Sequence, residues 1–405
     1  MSVAVDAERQ PSYAPALAVV TSLFFVWGLI TSLNDILVPH LKAIFTLSYA
    51  QAMLIQFCFF GAYFIISLPA GYLVEKVGYR RAIVIGLCAA AVGCLAFYPA
   101  ATATSYPLFL GALFVLASGI TLLQVAANPC VACLGSEQTA PSRLNLSQAF
   151  NSLGTTLGPL LGAALILSGR EERALAAAQG ADTVKVPYLA LAAALLVIGA
   201  AFSRFHLPGG AESAARAPRE GGLWQHRHLV LGTIAIFLYV GAEVSIGSVL
   251  VSFMAQPEVG GLSQRVAGSY LALYWGGAMV GRVVGAGVLR MFDAGRVLAS
   301  CALGAVLLLG LSMTFSGHVA MAAALAVGLC NSIMFPTIFA LSIAELGPRT
   351  AEGSGLLCMA IVGGAIVPLV TGFAADHIGL TAALSVPLVC YLYIVHYGFS
   401  GHRVR

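Results

Sequence analysis

Charge is what this sequence has least of. Asp, Glu, Lys and Arg together make up 9% of the 405 residues, against 60% hydrophobic. A water-soluble domain carries about 25% charged residues because its surface faces water. The shortage excludes a soluble globular fold and sets most of the surface against lipid. Paired cysteines are also missing. The nine cysteines are an odd number scattered along apolar runs, which excludes a disulfide framework. Cys130 and Cys133 are spaced Cys-x-x-Cys within a helical apolar run with no histidine near in sequence. They read as small packing residues and not as metal ligands. No small-residue cleavage site follows Met1–Ala14, so that segment reads as a cytoplasmic leader. A nucleotide-binding Gly-Lys loop is absent, which argues against ATP-driven work. The eight histidines fall in loops or near span ends, leaving no nucleophile–histidine pair for a hydrolase. No polar stretch is long enough for a sensor domain. The basic residues sit in short loops and form no patch for nucleic acid.

What is present is a series of apolar segments long enough to cross a bilayer. Six lie at 17–39, 49–73, 82–100, 108–132, 144–168 and 187–205; six more lie at 229–252, 266–289, 297–315, 318–344, 353–374 and 381–400. Between the sets, 206–228 is rich in Gly, Ala and charge and reads as a linker. The expected fold class is an all-α membrane protein: twelve transmembrane helices in two six-helix, pseudo-symmetric bundles. The bundles span 1–205 and 229–405, joined by a cytoplasmic linker at 206–228. With the N-terminus cytoplasmic, fourteen Lys and Arg lie in inside loops and tails, five lie outside, and Arg282 remains within a span. That bias predicts both termini inside. The halves look related at an offset of about 208 residues, which matches Asp35 with Glu243 and Gly154/Pro159 with Gly363/Pro368. Repeated halves of this kind place a solute site between them.

Of sixteen acidic residues, Asp35 and Glu243 stand well within spans. A charged side chain at mid-membrane costs at least ~2.5–3.5 kcal/mol, so it persists where it faces a cavity and works. Desolvation disfavours the charged form of a carboxylate, which makes reversible protonation accessible. Both are candidates for coupling to a cation, either a proton or a sodium ion near Asp35. The alternative is a structural carboxylate that caps a helix or pairs with Arg282. Arg282, in Gly281-Arg282-Val283-Val284-Gly285, reads as snorkelling or fixing a loop.

Uncharged polar residues gather in particular spans: Trp27, Ser32 and Asn34 in the first, Gln56 in the second, Gln124 and Asn128 in the fourth, and Asn145, Gln148 and Asn151 in the fifth. Gln148 and Asn151 are three apart and share a helical face. Amides that donate and accept, beside an aromatic plane, suit a neutral polyhydroxyl ligand; glue between helices is the bland alternative. Glycines recur every fourth residue at Gly154, Gly158 and Gly162, and at Gly277, Gly281 and Gly285. They serve either static packing or a sliding contact between halves.

The loop after the second span reads Gly71-Tyr72-Leu73-Val74-Glu75-Lys76-Val77-Gly78-Tyr79-Arg80-Arg81, a tight charged turn able to latch neighbouring helix ends by ion pairs. It resembles the signature loop of the major facilitator superfamily, with Glu75 where Asp is usual. Three more stretches resemble the fucose:proton symporter family within it: Leu33-Asn34-Asp35-Ile36-Leu37, Ala126-Ala127-Asn128-Pro129, and Arg143 through Ser152. A fourth is Pro336-Thr337-Ile338-Phe339. The resemblance implies the twelve-helix fold and sugar symport. It also implies Asp35 as the coupling carboxylate and Gln148 and Asn151 on sugar hydroxyls. This chain departs from fucose permease: Gln124 replaces a Glu, Thr31-Ser32 replaces paired Asn, and Phe335 replaces a Tyr. Leu123-Gln124-Val125-Ala126-Ala127-Asn128-Pro129 and Gly241-Ala242-Glu243-Val244-Ser245 look more like the glucose/galactose branch.

The resulting expectation is not an enzyme but a symporter that imports a neutral hexose such as glucose or galactose, coupled to a proton or sodium ion. Alternatives are an N-acetylglucosamine or fucose-like deoxyhexose symporter, or a drug exporter of the same superfamily. Trp27, Asn34, Gln56, Gln124, Asn128, Gln148 and Asn151 are expected to line the site, with Phe335 closing it. Gly71, Glu75, Lys76, Gly78, Arg80 and Arg81 are expected to form a cytoplasmic gate loop. No cofactor beyond the co-transported cation is expected. The expected setting is a monomer in the bacterial inner membrane.

Overall fold

The computed structural model describes residues 13–45, 49–166, 185–205 and 222–404; side chains at 33–44, 49–53 and 159–166 lie outside that description, as does the linker at 206–221. The chain is helical almost throughout because every backbone N–H and C=O must be satisfied within the segment where no water reaches. The first half comprises α1 (Ala14–Ile44), α2 (Tyr49–Val77), α3 (Tyr79–Thr102), α4 (Tyr106–Cys133), α5 (Ala140–Ile166) and α6 (Lys185–Arg204). The second comprises α7 (Arg227–Ala255), α8 (Gln264–Met291), α9 (Ala294–Thr314), α10 (Gly317–Ser342), α11 (Gly347–Ile378) and α12 (Leu380–Gly401). Among the described residues, eleven of these are long and apolar enough to cross a membrane. The twelfth, α5, falls outside that set because its apolar residues 159–166 lie outside the description; its described part, 140–158, carries most of its polar side chains. It packs between α1 and α8, so those side chains face protein and not lipid.

Two spans are broken. Helix α10 is interrupted between Asn331 and Met334, and α11 passes through a tighter turn at Ala360–Val362. Between α2 and α3 the chain reverses at Gly78, whose φ of 82° is open to glycine at no steric cost. Lys76 lies over the Tyr72 ring at 5.0 Å in this turn, and the α2 end carrying Gly71 packs on Ala351 of α11.

Lipid tails are as apolar as leucine, so helices associate here through close packing and not through the hydrophobic effect. The contacts show it. A methyl group on Gly28 of α1 would run into the Asn151 carbonyl of α5, and one on Gly154 into the Phe25 carbonyl. In the second half, a methyl on Gly363 of α11 would meet the Phe237 carbonyl of α7 in the same way. The glycine face of α5 is therefore static packing within one half at Gly154 and Gly158. Gly281 of α8 likewise packs on Ser332 of its own half. The equivalent packing of Gly154 on the Phe25 carbonyl and of Gly363 on the Phe237 carbonyl aligns Phe25 with Phe237. On that register Glu243 stands opposite Thr31, and Asp35 has its counterpart at Gly247, about a turn further along α7, so the simple pairing of Asp35 with Glu243 does not hold.

The halves meet at the end that carries the α2–α3 turn. There Ser142 Oγ donates to the Ala286 carbonyl at 2.6 Å, Asn145 Nδ2 to the Arg282 carbonyl at 2.7 Å, and Ser354 Oγ to the Val125 carbonyl at 2.9 Å. Gly71 and Gly355 bring α2 and α11 together: a methyl on Gly355 would lie 2.7 Å from the Ser67 carbonyl and 3.4 Å from the Gly71 Cα. Pairs α2–α11 and α5–α8 are related by the pseudo-symmetry of the halves. The seam is closed twice over.

Candidate functional site

Above the seam the halves separate. A cavity of about 560 Å³ opens between them toward the opposite end, lined by Thr31, Gln56, Phe59 and Phe60 of the first half and by Val244, Ser248 and Trp275 of the second, among others. Pockets for small ligands typically run about 300–1,000 Å³. Gly247 makes room for Trp275: a methyl there would lie 3.0 Å from the indole Cζ2. Phe60 reaches across to α11, 2.8 Å from where a Gly364 methyl would sit, and floors the cavity. Aromatic faces suit the apolar face of a sugar ring, and Thr31, Gln56 and Ser248 supply hydroxyl and amide partners.

Of the expected ligand residues, Gln56 lines this cavity. Asn34 and Asp35 lie on α1, with their side chains outside the described residues. Trp27 is buried and its ring sits 5.1 Å from that of Phe24. Gln124 is buried and donates through Nε2 to the Tyr63 hydroxyl at 2.5 Å. Asn151 donates through Nδ2 to the Phe24 carbonyl at 3.0 Å, so part of its amide joins α5 to α1. Gln148 is buried one turn away, and among the described residues its amide makes no hydrogen bond. Asn128 is fully buried away from the cavity, with neither amide atom partnered. Phe335 lies half-buried with its ring 6.0 Å from that of Phe339, also outside the cavity lining. Residues of the gate loop sit at the closed end, where Gly71 makes the close approach described above.

Sequence reasoning missed Phe59, Phe60, Trp275 and Ser248. Trp275 had a signal: tryptophan occurs three times in the chain, and this one stands in mid-span. The phenylalanines had none, because an aromatic facing a cavity and one facing lipid look alike in an apolar run.

The second half also holds a buried polar cluster around the break in α10. Tyr391 Oη donates to Asn331 Oδ1 at 2.7 Å, Asn331 Nδ2 to Tyr274 Oη at 2.7 Å, and Tyr239 Oη to the Asn331 carbonyl at 3.0 Å. Tyr274 Oη then donates to the Glu243 carbonyl at 3.2 Å. The carboxylate of Glu243 ends this cluster, its Oε1 buried and without a hydrogen-bond partner. Arg282 donates through Nε to the Ser332 carbonyl at 3.2 Å and through a guanidinium NH2 group to Ser152 Oγ in the other half. Its role is thus a bridge between halves and not a loop anchor.

Comparison with known proteins places this architecture. The sequence profile of the Major Facilitator Superfamily matches residues 19–368. A glucose/galactose transporter of Brucella abortus is 55% identical over 400 residues, which cover 98% of this chain and 97% of that protein. The L-fucose-proton symporter of Escherichia coli is 35% identical over 413 residues, 96% of this chain and 93% of that protein. Among solved structures, the superfamily transporter FucP in its outward conformation matches with a TM-score of 0.87 at 34% identity, covering 95% of this chain and 98% of that one. With the profile spanning most of the chain and the fold shared at nearly full length, the chain belongs to the Major Facilitator Superfamily.

Proposed function

We propose that this protein is a sugar symporter that imports a neutral hexose, glucose or galactose, together with a cation, by alternating access. The observation that carries the reading is a cavity between two halves that are open at one end and hydrogen-bonded shut at the other. That arrangement is one state of a two-state carrier. The substrate class is supported by the 55% identity to a glucose/galactose transporter over 98% of the chain. The α2–α3 end faces the cytoplasm in this reading, and the open cavity faces outward in the inner membrane. The protein works as a monomer, with residues 1–205 and 229–405 as the rocking units.

Coupling is assigned to Asp35, with Glu243 as the second carboxylate in a span. Cation binding at Asp35 favours sugar binding, and by linkage the sugar favours the cation equally. Gln148 and Asn151 bind hydroxyls from α5, and Gln56 and Trp275 receive the sugar from outside. Gln124, bonded to Tyr63, holds no proton to exchange, which leaves Asp35 to carry the coupling from the first half. The defining experiment is uptake of labelled glucose, galactose, N-acetylglucosamine and fucose into proteoliposomes under imposed proton or sodium gradients. Glucose or galactose accumulation driven by one gradient is expected. Accumulation of fucose alone, or outward movement of apolar drugs with no hexose uptake, overturns the substrate assignment.

A further inference from the structure

Arg282 presents a problem that the sugar site does not solve. A guanidinium keeps its charge at any accessible pH, and a charge at this depth needs a partner in every state of the carrier. In the shut state its partners are the Ser332 carbonyl and Ser152 Oγ. Ser152 belongs to the opposite half, so opening the seam removes it. The remaining partner candidate is already in place. Glu243 lies in the adjoining helix of the same half, with one carboxylate oxygen buried and unpartnered, and Arg282 acts on it electrostatically.

Helix direction brings the two together. Side chains lean toward the N-terminus of their own helix, and consecutive spans α7 and α8 run antiparallel. Tyr274 bonds the Glu243 carbonyl at 3.2 Å, which sets Glu243 beside α8 about two turns before Arg282 in that helix. Glu243 therefore leans along α7 toward the closed end, and Arg282 leans along α8 toward the open end. They face each other across Tyr239.

We propose that Arg282 and Glu243 form a proton-gated pair that sets the balance between the two states of the carrier. With the seam shut, Arg282 is held by Ser152 and Glu243 is protonated. When Glu243 releases its proton, the carboxylate competes for the guanidinium, Arg282 leaves Ser152, and the α5–α8 contact opens toward the cytoplasm. The groups facing Glu243 are Arg282 of α8, Tyr239 of α7, Tyr274 of α8 and Tyr391 of α12. The three tyrosines stay neutral and are tied to Asn331, so the guanidinium is the charged partner. This inference rests on the transport reading, since it assumes that the seam opens.

The test measures the seam directly. Spin labels at Gln138, in the turn just before α5, and at Met291, the closed end of α8, both exposed, are introduced in a transport-competent background with the native cysteines replaced. The protein is reconstituted in nanodiscs, and the label-to-label distance is followed from acid to alkaline pH. For the parent protein, raising the pH is expected to increase the ratio of open to shut seam by on the order of tenfold, the strength of one charge-assisted bond. Glu243→Gln should stay mostly shut at every pH. Ser152→Ala should open more readily at acid pH, because the shut state then offers Arg282 one partner fewer. Arg282→Lys should retain a smaller pH response. An unchanged pH response in Glu243→Gln overturns the pair. Should Glu243→Gln fail to fold, an unaltered seam in Ser152→Ala overturns it equally. Hexose uptake is measured separately on the parent. A gate that responds in a protein that takes up no hexose sinks the substrate reading alone; hexose uptake with a pH-indifferent seam sinks this inference alone.

Discussion

At the scale of single residues, a polar group in a membrane span is informative in proportion to what it is bonded to. Gln148 and Asn151 share a face of α5, yet Asn151 spends one N–H on the Phe24 carbonyl and Gln148 spends none among the described residues. Asn151→Ala should therefore lower stability by about 1 kcal/mol, the net worth of one hydrogen bond, seen as a lower melting temperature in detergent. Gln148→Ala should leave the melting temperature in place and weaken hexose binding by about tenfold, about the loss of one well-placed hydrogen bond. A melting loss at Gln148 with affinity untouched would make it glue between helices and not a sugar ligand. Asp35 is tested by function. Asp35→Asn should abolish uphill hexose accumulation while sparing exchange of hexose across the membrane, both measured in proteoliposomes. Uphill uptake that survives the change would move the coupling elsewhere.

At the scale of elements, α5 shows why hydropathy and burial must be separated. Its polar residues lie on a helix packed between α1 and α8, and its glycines draw it against α1. Because interiors are close-packed, inserting bulk at such a contact costs about 1–3 kcal/mol or more. Gly154→Leu should reduce the yield of monodisperse protein in size-exclusion chromatography. Gly61→Leu on α2, where the added Cβ would meet nothing within 4 Å, should not. Equal losses at both positions would mean that α5 is not packed on α1 as described. Gly247 offers a subtler case. Gly247→Val should push the Trp275 indole into the cavity and lower hexose affinity several-fold, since the nearest indole carbon stands 3.0 Å from the position of the new Cβ. Affinity measured by tryptophan quenching should fall while folding is kept; unchanged affinity would remove Trp275 from the sugar path.

At the scale of the whole molecule, the seam between α5 and α8 is the part that must break in each cycle. Ser142 Oγ and the Ala286 carbonyl oxygen lie 2.6 Å apart across it. A Ser142→Cys, Ala286→Cys pair, made in a background with the native cysteines replaced, should crosslink on oxidation. Uptake should fall to background and recover on reduction, while sugar added from the open side still binds. Full uptake with the crosslink intact would show that this seam is not the one that opens.

What the sequence determined alone was the environment and the count of elements. With 9% charge no water-facing surface can form, and segment length then dictates twelve crossings. The expected segment at 82–100 became a helix over Tyr79–Thr102, and that at 144–168 became Ala140–Ile166, because burial of the backbone in lipid leaves little choice but helix. The candidate site residues stood out for the same reason: an amide or carboxylate in a span is conspicuous against a uniform background. What the tertiary structure alone decided was which of those groups meet. The break in α10 at Asn331, the tyrosines that gather on it, the bond from Arg282 to Ser152 in the other half and the aromatic wall of the cavity join residues from opposite ends of the chain. Local pattern cannot encode such pairings, because helix register and crossing are fixed by side-chain packing between spans and not by the spans themselves.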